Sequence, residues 1–251
     1  MDWLLTPEGI GCALSLALLA GYASLFFKLR IAEDTHIVAH IRVLAWVYLH
    51  VAHRMQLEGE TEDSVPAQGP AVLVANHRSG LDPVALGVAA RRRVHFLMAR
   101  EYYETPILRW FYDRLGCIPV NRDGNDLGAM KAALQLLRQG KVVGIFPQGG
   151  IREPGSELEG KAGVVMLAIK TDAPIVPFYL DGTPSCDSVL RAYLTPSRTT
   201  IWRGAAYRLD NAGRRKLTRA QQDLLTRQVL NSIATLAPSG PTNHPTEVPM
   251  S

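Results

Sequence analysis

Three short apolar runs constrain the fold more than any other feature of this chain. They occupy residues 71–75, 142–146 and 173–178, with proline or asparagine at or near their ends. Continuous apolar runs of this length are typical of strands that are buried on both faces of a sheet. Segments with helical character lie between them. This alternation predicts an α/β fold in which a mixed sheet is flanked by helices.

The helical segments carry local start and stop signals. Residues 126–139 place apolar side chains at helical spacing, and Gly140 is suited to end that helix. Residues 217–236 are also amphipathic, and Thr218 stands where an N-cap is expected. The remaining predicted helices of this region are residues 83–93, 106–115 and 160–170.

A histidine and an aspartate stand five positions apart directly after the first apolar run. His77 follows the predicted strand, and Asp82 precedes Pro83, a pair typical of a helix start. The motif is therefore expected on a strand-to-helix loop. A histidine side chain with its usual pKa of about 6.5 can take a proton from a hydroxyl near pH 7. A carboxylate beside it can orient the ring and stabilise the imidazolium.

The alternative is that these residues are structural only. Asp before Pro is common at helix starts, with the aspartate as N-cap, and this His–Asp spacing also arises by chance. The two roles of Asp82 are compatible, because one carboxylate accepts several hydrogen bonds. The sequence has no G-x-S-x-G nucleophile motif. A base without a protein nucleophile suggests that the substrate supplies its own hydroxyl.

Three further segments extend this motif. In chain order, the four blocks are Asn76, His77 and Asp82; Gly116, Ile118 and Arg122; Phe146, Pro147, Gln148 and Gly149; and Val176 and Pro177. Their order and spacing resemble those of the glycerolipid acyltransferase superfamily, which carries N-H-x4-D, G-x-I-x-x-x-R, F-P-E-G-T-R and V-P-I/V. The resemblance covers roughly residues 60 to 210.

The resemblance implies transfer of a fatty acyl group from acyl-CoA or acyl carrier protein to the hydroxyl of a lysophospholipid or related glycerolipid. His77 is then the general base and Asp82 orients it, with no acyl-enzyme, no metal and no resident cofactor. The resemblance implies that the second-block arginine and the third block hold the acceptor's glycerol phosphate. The predicted substrate-binding residues are Asn76, Arg78, Ser79, Arg122, Gln148, Gly149, Gly150, Arg152 and Lys161.

The third block departs from the family pattern. Gln148 stands where the family usually has glutamate, and Gly150 and Ile151 replace the usual threonine and arginine, so that Arg152 falls one place later. These changes put a phosphate-bearing acceptor in question and leave the His–Asp chemistry unchanged. The alternatives are that Gln148 is an ordinary turn residue and that Lys161 is a solvent-exposed lysine.

The N-terminal segment has the composition of a membrane-associated helix. Residues 10–27 carry no charged side chain, although a spanning helix needs about 20 apolar residues, which puts this segment at the short end. Lys28 and Arg30 follow it. The positive-inside rule then predicts an enzyme on the cytoplasmic face of the cell membrane, anchored by its N-terminus. Histidines and arginines interrupt a second apolar helix at residues 36–57, as in an interfacial helix.

Composition argues against two other classes of protein. The net charge is +4 and no long basic run is present, so nucleic acid is not an expected partner. The short run at residues 91–93 is typical of an exposed helix end. The three cysteines are scattered without a C-x-x-C pair, which argues against a zinc site or a disulfide framework. Histidine pairs at 36/40 and 50/53 lack the nearby carboxylate of a metal site.

These observations predict three regions. Residues 1–57 form membrane-associated helices, residues 58–237 form the acyltransferase domain, and residues 238–251, rich in proline and threonine, form a disordered tail. The expected partners are membrane lipid and the acyl donor. Three alternatives stay open: acylation of a lipid acceptor without phosphate, a non-catalytic lipid-binding protein on the same fold, and a hydrolase in which water replaces the acceptor alcohol.

Overall fold

The computed structural model describes residues 7–29, 31, 34–60, 64–121, 126–151, 162–185, 189–210 and 217–238. Strands and helices alternate through most of these ranges. The strands are β1 (Gln56–Gly59), β2 (Ala71–Ala75), β3 (Val94–Ala99), β4 (Ile118–Val120), β5 (Val142–Ile145), β6 (Ile175–Asp181) and β7 (Thr200–Arg203). The helices are α1 (Pro7–Leu29), α2 (His36–Ala52), α3 (Asp82–Ala89), α4 (Arg100–Tyr103), α5 (Pro106–Leu115), α6 (Leu127–Arg138), α7 (Gly163–Thr171), α8 (Val189–Leu194) and α9 (Arg219–Ala234).

The strands form one mixed sheet, as the sequence predicts. Their order is β1-β7-β6-β2-β5-β3-β4. Neighbouring strands are parallel except for the antiparallel pair β6 and β7. In the middle of the sheet, Leu73 of β2 lies between Gly144 of β5 and Val176 of β6. Because these three strands run in the same direction, the loops that follow them meet at one edge of the sheet.

The central strand β2 separates two hydrophobic cores. Its five residues are all buried. Leu73 belongs to a cluster that includes Leu49 of α2 and Leu86 of α3. Val72 and Val74 belong to the other cluster, to which α6, α7 and α9 contribute. Burial of each such aliphatic side chain contributes about 1.5–3 kcal/mol, which holds the end of β2 in a fixed position.

Local signals locate several helices correctly. The predicted helix at residues 106–115 is confirmed as α5. Helix α6 begins after Asp126, whose side chain caps the first turn, and the chain leaves it through Gly140 at a φ of 75°. Thr218 caps α9 and forms a capping box with Gln221. The starts of α6 and α9 were predictable because each depends on a side chain within one turn of the helix.

Two predicted helices end earlier than expected. Helix α2 ends at Ala52 instead of residue 57, and α3 ends at Ala89 instead of residue 93. Arg54 and Arg91, which follow them, adopt left-handed φ values of 43° and 50°, and this conformation cannot continue a right-handed helix. Residues 56–59 form the edge strand β1, which pairs with β7, so the predicted boundary after residue 57 falls within a strand.

The basic run at residues 91–93 is an exposed helix end only at Arg91. Arg92 is only 7% exposed. Its guanidinium donates to the carbonyl oxygens of Pro66, Gly69 and Gly140 at 2.8, 2.7 and 3.0 Å. The prediction for this run is therefore wrong at Arg92, because the side chain ties three turns together inside the protein.

Helix α1 packs on α2, and the ring of Tyr22 stacks on that of His40 with their centroids 5.9 Å apart. Large apolar side chains of α1 are exposed, among them Leu14, Leu18 and Phe27 at 61%, 74% and 72%. Across the described ranges, no helix combines the length and the apolar character that crossing a membrane requires. The predicted membrane attachment stays a prediction, and residues 239–251 of the predicted tail lie outside the described residues.

Candidate active site

Asn76 joins the carboxyl ends of β2 and β6. Its Nδ2 donates to the main-chain oxygen of Leu180 over 2.8 Å, and its Oδ1 accepts from the Leu180 N–H over 2.7 Å. The side chain thus extends the pairing of these strands past the last residue of β2. Asn76 is 3% exposed. These contacts fix the position at which the following loop begins. The predicted contact of Asn76 with substrate stays a prediction.

The loop between β2 and α3 is organised around one oxygen of Asp82. His77 Nδ1 lies 2.9 Å from Asp82 Oδ2. The main-chain N–H groups of Arg78 and Ser79 donate to the same oxygen at 2.7 and 2.8 Å. Asp82 is the first residue of α3 and is fully buried. Three N–H groups, together with the helix N-terminus, therefore stabilise its negative charge.

The imidazole of His77 is held on a second side by the turn after β5. Its ring stacks on Phe146 with centroids 4.2 Å apart, and Phe146 in turn stacks on Phe96. The main-chain N–H of His77 donates to Gln148 Oε1 over 2.8 Å. The side chain of His77 is 15% exposed. Since Nδ1 faces Asp82, Nε2 is the ring atom that can exchange a proton with a substrate.

Arg78 lies beside this pair and is held by β6. Its Nη1 donates to Asp181 Oδ1 over 2.9 Å, and its Nη2 donates to the Tyr179 hydroxyl over 3.2 Å. Burial raises the pKa of Tyr179, and the nearby Arg78 charge lowers it to a smaller extent. Ser79 is 2% exposed, and its hydroxyl accepts from the Leu81 N–H. Of these two predicted substrate-binding residues, Arg78 is the more accessible.

Sequence reasoning missed several neighbours of the loop. Tyr179 and Asp181 lie in the last three residues of β6, and the acidic residue at the end of this apolar run is a signal that could have identified them. Tyr193 of α8 donates to the carbonyl oxygen of Gly80 over 3.4 Å, and burial raises the pKa of Tyr193. A Cβ on Gly80 would lie 2.9 Å from a methyl group of Val189. Only glycine therefore fits there without a shift.

The remaining predicted site residues fall into two groups. Gly149 has a left-handed φ of 72° and donates its N–H to Phe146 O over 3.0 Å, which closes a tight turn. The space where a Cβ of Gly150 would lie is open. Arg122, Arg152 and Lys161 lie outside the described residues, so their proposed contacts with a phosphate stay predictions. Within the described ranges, no three His, Cys, Asp or Glu side chains are grouped closely enough to hold a metal ion.

A shallow cavity of about 390 Å³ lies elsewhere, at the β4 edge of the sheet. Its lining includes His95, Cys117 and Gln135, and no predicted site residue contributes to it. Burial raises the pKa of the Cys117 thiol to about 12. A thiol with this pKa is protonated near neutral pH and is a poor nucleophile, so this cavity does not provide a second catalytic centre built on Cys117.

Several known proteins with similar sequences are acyltransferases by name. The chain is 27% identical over 125 residues to the 1-acyl-sn-glycerol-3-phosphate acyltransferase of Bacillus subtilis, a match that covers 49% of this chain and 62% of the relative. It is 28% identical over 150 residues to 1-acyl-sn-glycerol-3-phosphate acyltransferase LPAT1, chloroplastic, of Arabidopsis thaliana, which covers 59% of this chain and 41% of the relative. Both matches span less than two thirds of the relative's length.

The fold is shared with a solved structure. The 1-acyl-sn-glycerophosphate (LPA) acyltransferase PlsC from Thermotoga maritima superposes with a TM-score of 0.57 at 19% identity, over 85% of this chain and 87% of that one. The family model named Acyltransferase matches residues 56–181. That segment is half of the chain, and it contains β1 to β6 together with the His77–Asp82 loop. The chain therefore belongs to the Acyltransferase family.

Proposed function

We propose that this chain is an O-acyltransferase that moves a fatty acyl group from acyl-CoA or acyl carrier protein to the hydroxyl of a lysophospholipid or related glycerolipid. The observation that carries the proposal is the contact between His77 Nδ1 and the buried Asp82 carboxylate at 2.9 Å. It fixes the tautomer in which Nε2 is free of its proton and can act as a base. The family of the chain supplies the reaction class.

In the proposed reaction, the acceptor hydroxyl gives its proton to Nε2 of His77 while its oxygen attacks the thioester carbonyl carbon. A C–O bond forms and the C–S bond breaks. The departing thiolate then takes the proton from the imidazolium, so that the base is regenerated and no acyl-enzyme forms. Asp82 stabilises the imidazolium in between. A base positioned in this way contributes about 10²–10⁴-fold to the rate.

The acceptor is proposed from the names of the relatives and from the charges near the loop. Relatives are named for 1-acyl-sn-glycerol-3-phosphate, so lysophosphatidate is the first acceptor to test. Arg78 bonds Asp181 and Tyr179 through two of its five N–H groups. The others can donate to an anionic head group. In the proposal Arg122, Arg152 and Lys161 add to this cationic subsite, and Arg122 binds the phosphate in a bidentate manner.

We also propose that the protein works on the cytoplasmic face of the cell membrane, attached by its N-terminal helices. The exposed apolar side chains of α1 support this, and Leu44 and Val51 of α2 are exposed to 62% and 75%. Apolar surface of this extent is unfavourable in water. A lipid acceptor with a long acyl chain would be available at the same surface.

The test is thiol release from palmitoyl-CoA or palmitoyl carrier protein with lysophosphatidate, other lysophospholipids or monoacylglycerol. We expect release that needs an acceptor, and we expect His77→Ala to lower it by at least about a hundredfold. His36→Ala, which changes an exposed histidine of α2, is the matched control. Full activity of His77→Ala would remove the base assignment. Release without acceptor would indicate a hydrolase, and no release with any pair would indicate a non-catalytic lipid-binding protein.

A further inference from the structure

We infer that Gln148 is a positioning residue for the general base and does not bind the acceptor. Its amide oxygen holds the main chain of His77, and through it the imidazole, in place for proton transfer. The inference rests on the proposed function. It differs from the role that the resemblance implies for this block, which is contact with the glycerol phosphate.

The hydrogen bond that carries the inference is short and buried. Gln148 Oε1 lies 2.8 Å from the main-chain nitrogen of His77, and Gln148 is 8% exposed. A buried N–H group without an acceptor is costly, so this bond constrains where the residue can lie. Because the bond is made by the main chain of His77, it acts on the Cα position from which the ring extends.

The turn that carries Gln148 is itself rigid. It follows β5, and Ile145 of β5 pairs with Val74 of β2, so both loops start from the same level of the sheet. The N–H of Gly149 donates to Phe146 O, and Pro147 lies between them with its φ fixed by its ring. The same turn therefore supplies two contacts to His77: Phe146 stacks on its ring, and Gln148 binds its main chain.

Charge distinguishes this residue from the glutamate of the family pattern. An amide oxygen accepts the hydrogen bond and leaves the surroundings of the imidazole neutral. A carboxylate would accept it too, but it would add a negative charge that stabilises the imidazolium. With glutamate, a higher pH would be needed to form the neutral base. The substitution Gln148→Glu should therefore keep the geometry and move the acid limb of the pH–rate profile to higher pH.

The experiment compares Gln148→Met, which keeps the length of the side chain and removes the acceptor oxygen, with Gln148→Glu. For the acceptor that gives the highest wild-type rate, we expect Gln148→Met to lower kcat by about tenfold to a hundredfold, since a misplaced base is costly, with the acceptor KM unchanged. Gln148→Glu should restore most of kcat and shift the acid limb upward. Gln135→Met, on the exposed face of α6, should change neither constant.

Other outcomes would overturn the inference. A raised acceptor KM with normal kcat in Gln148→Met would show that Gln148 binds the acceptor. Unchanged kcat and KM would show that it neither positions the base nor binds the acceptor. If Gln148→Met does not fold, Gln148→Glu decides alone, because loss of kcat or an unmoved acid limb contradicts the inference. If His77→Ala stays active, the base assignment of the proposed function fails instead. Amide hydrogen exchange at His77, which should be faster in Gln148→Met, then still decides whether Gln148 holds this loop.

Discussion

One buried oxygen of Asp82 accepts the hydrogen bonds that organise the loop between β2 and α3. Oδ2 accepts from His77 Nδ1 and from the N–H groups of Arg78 and Ser79. A buried carboxylate is stable only when such donors replace its lost hydration. The position of the proposed base and the shape of the loop therefore depend on the same atom.

We expect Asp82→Asn to lower both activity and stability. The amide removes the charge that stabilises the imidazolium. Its NH₂ group, unlike a carboxylate oxygen, cannot accept hydrogen bonds from the N–H groups that face it. We expect kcat to fall by about 10²–10⁴-fold and the free energy of unfolding to fall by about 1–3 kcal/mol, as measured by steady-state kinetics and urea unfolding. Asp172→Asn is the control, because that side chain is 86% exposed. Normal kcat with reduced stability would make Asp82 purely structural.

The contact between His77 and Asp82 was predictable from the sequence, whereas that between His77 and Gln148 was not. The spacing of the first pair on a strand-to-helix loop already places the two side chains within reach. Gln148 follows a proline, a context typical of any turn, and its partner is a main-chain N–H group 71 positions away. Every residue except proline has a main-chain N–H group, so no sequence motif marks this donor. The contact becomes visible only once β2 and β5 are known to be paired. Gln148 is thus a turn residue whose side chain also bonds the neighbouring loop, and its role at the site stays a prediction.

At the scale of elements, one buried histidine ties the end of α2 to the chain before β7. His53 is fully buried. Its Nδ1 lies 2.9 Å from Ser197 Oγ, and its Nε2 lies 2.7 Å from the Tyr48 hydroxyl. Its carbonyl oxygen accepts from the Thr199 N–H over 2.9 Å. The sheet and α2 are therefore joined by a titratable group.

Stability should consequently fall in mild acid. Burial lowers the pKa of His53 below its ordinary value of 6.5, so the unfolded chain binds a proton that the folded chain excludes. The stability present at pH 8 is lost as pH falls through 6.5 toward the folded-state pKa, by up to about 1.4 kcal/mol per pH unit. Urea unfolding between pH 8 and 5.5 should show this slope reduced in His53→Gln and unchanged in His36→Gln. Equal slopes in all three proteins would contradict this assignment.

A helix or strand was predictable from the sequence where the residues that cause it lie close together in the chain. Helices α5, α6 and α9 carry their caps within one turn, and the buried runs of β2, β5 and β6 are continuous in the sequence. The edge strand β1 and its neighbour β7 have no such run. They form because Gln56–Gly59 meets Thr200–Arg203 across more than half of the chain. The ends of α2 and α3 were not predictable, since arginine is an uncommon residue in the left-handed conformation.

At the scale of the whole molecule, exposed apolar helices connect with the loop between β2 and α3. Helix α1 packs on α2, the ring of Tyr48 in α2 stacks on Tyr193 in α8, and Tyr193 donates to Gly80 of the loop. Exposed leucines continue on α8 at Leu190 and Leu194, which are 68% and 74% exposed. If this surface meets a bilayer, as we propose, a lipid acceptor can reach His77 without passing through bulk water.

Leu18→Asp tests whether α1 makes that contact. Leu18 is 74% exposed on α1, and Leu127, at the start of α6, is 77% exposed, so an aspartate at either position costs the folded protein little. A charge placed in the apolar region of a bilayer costs about 2.5–3.5 kcal/mol. We expect Leu18→Asp to weaken co-sedimentation with phosphatidylglycerol–phosphatidylethanolamine vesicles by at least about tenfold, and Leu127→Asp to leave it unchanged. Thiol release with a short-chain, water-soluble acceptor should be normal in both variants, because neither change touches the loop. Equal vesicle binding by the two variants would mean that the exposed leucines of α1 face something other than lipid.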